Sequence, residues 1–225
     1  HGADAVCYFQ WRQSRAGGER YHSGMVPHAG ENSRVFRDVV ALGGALRDLS
    51  SVTGSRREKA RVAIVVDYES WWVSGRDAHP SDSPAYDDET LAWYRALLDL
   101  GVRADVIPVG AAFDGYEVLI APMLHVVPDA LRSRLEAYTD AGGHLITTYF
   151  SGIVDENDRV WLGGYPGALR ELLGVMVEEF VPLLPDERIA LASGAVAHGW
   201  TERIVHVGDD VEVLDTYADG DLAGA

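Results

Sequence analysis

Arg61-Val62-Ala63-Ile64-Val65-Val66-Asp67 is the stretch on which the fold turns. Its apolar, mostly β-branched residues run without a polar break, the pattern of a strand buried on both faces of a parallel sheet. Moving toward the carboxyl end, Asp87-Asp88-Glu89 place carboxylates at a helix start, where the macrodipole favours them. Leu91, Tyr94, Leu97 and Leu98 then share one side of a helix that stops at Gly101. Residues 102–109 and 116–122 predict two more strands. Pro128-Asp129 open a second helix, with Leu131, Leu135 and Tyr138 aligned and Gly142-Gly143 ending it. Residues 144–150 predict a fourth strand. Such alternation predicts an α/β fold: a mainly parallel sheet with right-handed crossovers and helices on both faces. Past Gly152 a short helix is expected over 166–173. Residues 203–207 and 211–217, flanking Gly208-Asp209-Asp210, predict a hairpin.

Toward the amino end, residues 5–11 (AVCYFQW) read as another buried strand, followed by a polar loop over 12–30. Ser33 is placed to cap a helix with Val35, Val39, Leu42, Leu46 and Leu49 on one stripe. Gly43-Gly44 inside that helix costs about 1–2 kcal/mol relative to alanine and predicts a close approach by another segment. The polar, basic stretch 50–59 is the best linker in the chain.

The chain has 225 residues, 47% hydrophobic, which is enough for a sizeable core. Its 35 acidic against 19 basic side chains give a net charge of −16. That balance argues against nucleic acid, whose phosphates need clustered Lys and Arg, and against an anionic membrane surface. Cys7 is the single cysteine, so neither an intrachain disulfide nor a cysteine-based zinc site can form. No apolar run approaches the roughly 20 residues of a membrane span. The opening residues carry no basic and apolar signal segment, so a cytoplasmic location is expected. The abrupt start in a strand-like run, without an initiator Met, looks like a cut through a longer protein.

Chemistry is sparse. Glu19 and His22 lie in the polar loop directly after a strand-like run, near Phe9 and Trp11. An acceptor, an imidazole and aromatic faces suit a sugar pocket; a solvated loop is the plainer alternative. Asp67 and Glu69 at a strand end read as a solvated or Arg-paired rim, and Ser151 as a hydroxyl that satisfies loop backbone. Trp71-Trp72 are either core fillers or interface anchors. Neither a Gly-rich phosphate fingerprint nor a metal-ligand spacing appears, so no cofactor and no metal are expected.

Several stretches together resemble the glycoside hydrolase family 42 β-galactosidases. They are Phe9-Gln10-Trp11-Arg12-Gln13-Ser14-Arg15-Ala16-Gly17 with Glu19, His22 and Met25-Val26-Pro27-His28-Ala29-Gly30; Tyr68-Glu69-Ser70-Trp71-Trp72; Thr148-Tyr149-Phe150-Ser151-Gly152-Ile153-Val154-Asp155-Glu156-Asn157-Asp158; Leu162-Gly163-Gly164-Tyr165-Pro166-Gly167; and Tyr217-Ala218-Asp219-Gly220. The resemblance implies that residues 1–55 are the last strand, loop and helix of a (β/α)8 barrel. Residues 58–225 would be a trimerisation domain, truncated at its end. It would have a Rossmann-like, class I glutamine amidotransferase-like three-layer fold, with Phe150 about where the amidotransferases carry cysteine.

The family hydrolyses terminal β-galactosides with retention, using two Glu about 5–5.5 Å apart. Both would lie upstream, so this segment alone is expected to be inactive. By resemblance Phe9, Glu19 and His22 bind the sugar, and Trp71 and Trp72 are candidate anchors of a homotrimer. A barrel remnant without its neighbours, residues 1–55, is expected to be poorly folded, misplaced or packed on a neighbour. The alternative is a free-standing, non-catalytic amidotransferase-like interaction module, which would not need the Glu19/His22 loop.

Overall fold

The computed structural model describes residues 5, 7–55, 58–76, 79–81, 85–206 and 208–225. They divide into two compact units, His1–Lys59 and Ala60–Ala225.

In the first unit Ser33 caps helix α1, Arg34–Asp48, its Oγ accepting from the Phe36 N–H at 3.3 Å. The apolar stripe stays largely exposed: α1 buries no residue, and Val26 is the one buried side chain among the unit's described residues. The double glycine meets no close neighbour. A Cβ on Gly43 would touch nothing within 4 Å, and one on Gly44 only Arg47 at 3.9 Å. The expected strand over 5–11 is also absent among the described residues. A strand buried on both faces needs a ladder on each edge. Here the backbone partner is residues 25 and 26, through Met25 N to Gln10 O, Val26 N to Trp11 O and Gln13 N to Val26 O at 2.8–3.0 Å. One parallel bridge results, between Arg12 and Val26.

The second unit is built on the apolar stretch 61–67. β1, Val62–Val66, lies inside a four-stranded parallel sheet with β2, Ala104–Pro108, β3, Val118–Ala121, and β4, His144–Thr147, in the order β2-β1-β3-β4. Val62 faces Ala104 on one side and Val118 on the other, and Val118 faces His144. Continuous apolar sequence is needed because β1 is covered twice. Ala63 and Val65 pack with Leu119 and Ala121 against Leu131 and Leu135 of helix α4, Asp129–Asp140. On the opposite face Ile64, Ala104 and Ile120 meet Trp93, Tyr94 and Leu97 of helix α3, Tyr86–Asp99. Helices therefore do cover both faces. Each fully buried Val, Ile or Leu contributes about 1.5–3 kcal/mol.

Between β1 and α3 the chain forms a helix for which no element was expected from the sequence, α2, Tyr68–Ser74. After β4 come a single-turn helix α5, Arg170–Leu173, and strand β5, Val175–Pro182. The short strands β6, Ile189–Ala190, and β7, Val196–Ala197, precede β8, Trp200–His206. The expected 203–217 hairpin does not form. β8 pairs antiparallel with β5 instead, from Val175↔His206 to Pro182↔Trp200, and 211–216 carries no strand. The longer partner wins because it buries more: Trp200 at one end of β8 seats among Phe150, Phe180 and Tyr149. Val207 of that expected hairpin lies outside the described residues. Among the described residues no helix is long and apolar enough to cross a membrane.

Candidate functional site

Open parallel sheets bind ligands at the carboxyl ends of their strands, where the strand order reverses. In the second unit that edge is closed by the protein's own hydroxyls. After β1, Asp67 caps α2, its Oδ2 accepting from the Ser70 N–H at 2.9 Å and from the Ser70 hydroxyl at 2.6 Å. Ser70 Oγ in turn accepts from the Val126 N–H at 2.9 Å. Just after β3, the Met123 N–H donates to Thr148 Oγ1 at 2.9 Å and the Leu124 N–H to Ser151 Oγ at 3.0 Å. Ser151 thus satisfies loop backbone, as its sequence context suggested. Asp67 is buried and structural rather than a solvated or Arg-paired rim, while Glu69 is exposed.

Phe150 sits at the same edge in a left-handed conformation, φ 58°, against the buried ring of His125 at 4.5 Å between centroids. Burial pulls the His125 imidazole down to about 4, with His79 adding to the effect, and among the described residues its Nδ1 has no hydrogen-bond partner. Glu202 is buried beside them. Its Oε1 accepts from Trp200 Nε1 at 3.0 Å and from the Phe150 N–H at 3.4 Å, and burial raises its carboxyl above the ordinary range. These groups interlock along the edge.

The residues expected from the sequence to bind sugar lie in the first unit. Its loop contains one turn of 3-10 helix, Gly18–Tyr21, that carries Glu19 and leads into His22. The His22 N–H donates to Glu19 O at 3.0 Å, fixing the two side chains one turn apart. The Phe9 ring meets the His22 ring edge-on, centroids 6.1 Å apart, and is two-thirds exposed. The loop therefore brings Phe9 to His22 and His22 to Glu19. Among the described residues neither the Glu19 carboxylate nor the His22 imidazole has a side-chain hydrogen bond or ion pair. A carboxylate, an imidazole and a bare aromatic ring in sequence can accept from, donate to and stack on a polyol.

Trp71 and Trp72 both lie on α2. Trp71 stacks between Tyr68 and Tyr86, at 5.9 and 6.2 Å, and Trp72 is 68% exposed. Trp71 also forms one wall of an apolar groove of about 280 Å³ with Ile64, Tyr86, Leu91 and Val106. Neither tryptophan is a core filler. Reading residues one at a time missed Gln13, whose carboxamide joins two parts of the loop; a lone glutamine carries no sequence signal for that.

A family model described as "Beta-galactosidase trimerisation domain" matches residues 60–225. This chain belongs to the family 42 β-galactosidases. A second model, described as "Beta-galactosidase", matches residues 1–49 of this family 42 chain. Similar curated proteins include the β-galactosidase BbgII of Bifidobacterium bifidum, 45% identical over 96% of the chain, and a β-galactosidase of Arthrobacter sp, 48% identical over 99%. The chain spans 32% of each, about a third of the length of these family 42 relatives. Among solved structures, the β-galactosidase of Bacillus circulans sp. alkalophilus superposes with a TM-score of 0.91 at 36% identity, over 100% of this chain and 34% of that one.

Proposed function

We propose that this chain is the carboxyl-side part of a retaining β-galactosidase that hydrolyses terminal, non-reducing β-D-galactosyl residues. In this reading residues 1–55 complete the catalytic barrel. Residues 58–225 form an amidotransferase-like trimerisation domain, through which the chain assembles as a homotrimer in the cytoplasm. Phe9, Glu19 and His22 hold the galactosyl unit, and the two reacting carboxylates belong to the rest of the enzyme.

The observation that carries the reading is the grouping of Phe9 with the loop residues Glu19 and His22, whose polar ends have no partner among the described residues, in a chain matched along both units by β-galactosidase family models. The location of the one internally sealed edge supports it too. There Ser70, Thr148, Ser151 and Glu202 are all engaged in hydrogen bonds within the unit, which suits an assembly role. Trp72, exposed, and Trp71, walling an apolar groove, suit an interface.

Hydrolysis of a chromogenic β-galactoside tests the first half. The full-length protein should turn over, this chain should not, and Glu19→Ala in the full-length protein should raise KM. Turnover by the chain alone at ordinary enzyme rates would overturn the reading. Sedimentation tests the second half: this chain should run as a trimer, and a monomer at high micromolar concentration counts against it.

A further inference from the structure

The loop that presents Glu19 and His22 has a firm base and a loose crown. At its base, Gly24 presses so closely on residues 10–13 that a Cβ there would lie 2.7 Å from Gln13 N and 3.2 Å from Gln10 O. Above it, the turn is held by bonds internal to itself: Arg20 N and Arg20 Nη1 to Gly17 O, and His22 N to Glu19 O. Among the described residues a single hydrogen bond ties segment 15–23 to the rest of the unit: Gln13 Nε2 donates to Arg20 O at 3.3 Å. The same carboxamide accepts from the His28 N–H through Oε1 at 2.9 Å, and the His28 ring closes on Ser14 O at 2.8 Å.

We propose that Gln13 is a positioning residue for substrate binding, its carboxamide bracing the Glu19–His22 turn against the returning chain at His28. The proposal rests on the reading of Glu19 and His22 as sugar ligands. A neutral amide fits the task because it donates at one end and accepts at the other. A glutamate could accept from His28 but would set a carboxylate against the Arg20 carbonyl; a methionine could do neither. Without the brace, ordering the turn falls to the incoming sugar, so affinity drops while the bond-breaking step is untouched.

The test is a variant series in the full-length protein, read by steady-state kinetics on an aryl β-galactoside. Gln13→Met should raise KM about tenfold with kcat changed less than about threefold, the mark of lost binding common to ground and transition states. Gln13→Glu should match it at neutral pH, then approach the parent as pH falls and the introduced carboxyl gains a proton to donate to Arg20 O. Gln13→Met should show no such recovery. In this chain alone, amide exchange at Glu19–His22 should speed up in Gln13→Met. Unchanged KM and unchanged exchange in Gln13→Met, with KM raised by Glu19→Ala, would overturn the brace and leave the sugar site standing. No response of KM to Glu19→Ala or Gln13→Met would remove both.

Discussion

His125 and Glu202 both contact Phe150, and burial disfavours the charged form of each. Their effects on stability carry opposite signs. The unfolded histidine takes a proton near pH 6.5, the folded one only near 4, so the unfolded state binds more protons between those values. Stability should therefore fall as pH drops through that window, on the order of 3 kcal/mol at 1.36 kcal/mol per unit. Glu202, raised, does the reverse: its contribution is complete below the unfolded value and is lost as pH rises through the folded one. Glu202→Gln keeps the oxygen that accepts from Trp200 and Phe150. It should be more stable than the parent at pH 7.5 and lose that advantage at pH 4. His125→Leu should flatten the slope between pH 4 and 6.5. Denaturant titrations across pH measure both, and an unaltered slope in His125→Leu would contradict the account. None of this was legible in the sequence. Asp67 likewise read as a rim because its role depends on Ser70, whose hydroxyl meets Val126 fifty-six positions away.

At the scale of elements, periodicity did its work wherever an element's partners were implied by its own pattern. β1 could be read as central because Ala63, Ile64 and Val65 all needed cover. Helices α3 and α4 could be read because Leu97 and Leu131 mark the faces they bury. Choice of partner is a different matter: nothing within 203–217 tells β8 to prefer β5 over the segment beside it. Helix α1 was read correctly as a helix, yet its double glycine meets no neighbour that would explain it. Gly43→Ala in this chain should then increase helicity and stabilise the first unit by about 1 kcal/mol, measured by circular dichroism during thermal unfolding. If the same change weakens the full-length protein, the glycine is kept for a segment that this chain does not include.

For the molecule as a whole, charge bears on assembly. Each copy carries −16, so three copies brought together repel at long range. The Debye length shortens from about 30 Å at 0.01 M salt to about 8 Å at 0.15 M. The proposed trimer should therefore tighten as salt is raised over that range, with Trp72→Asp weakening it at every concentration; sedimentation velocity reads both. Association that weakens with salt would point to ion pairing in place of the apolar tryptophan surface.

The stitched end of the parallel sheet takes up its own amides. Thr148, Ser151 and Ser70 occupy the amides of Met123, Leu124 and Val126, the donors that an anionic guest would seek. An anion seeking those three amides has to displace a resident side chain first. Descendants of this domain could reopen such a cradle one alcohol at a time, whereas its outer flanks stay free to vary without waking any dormant reactivity.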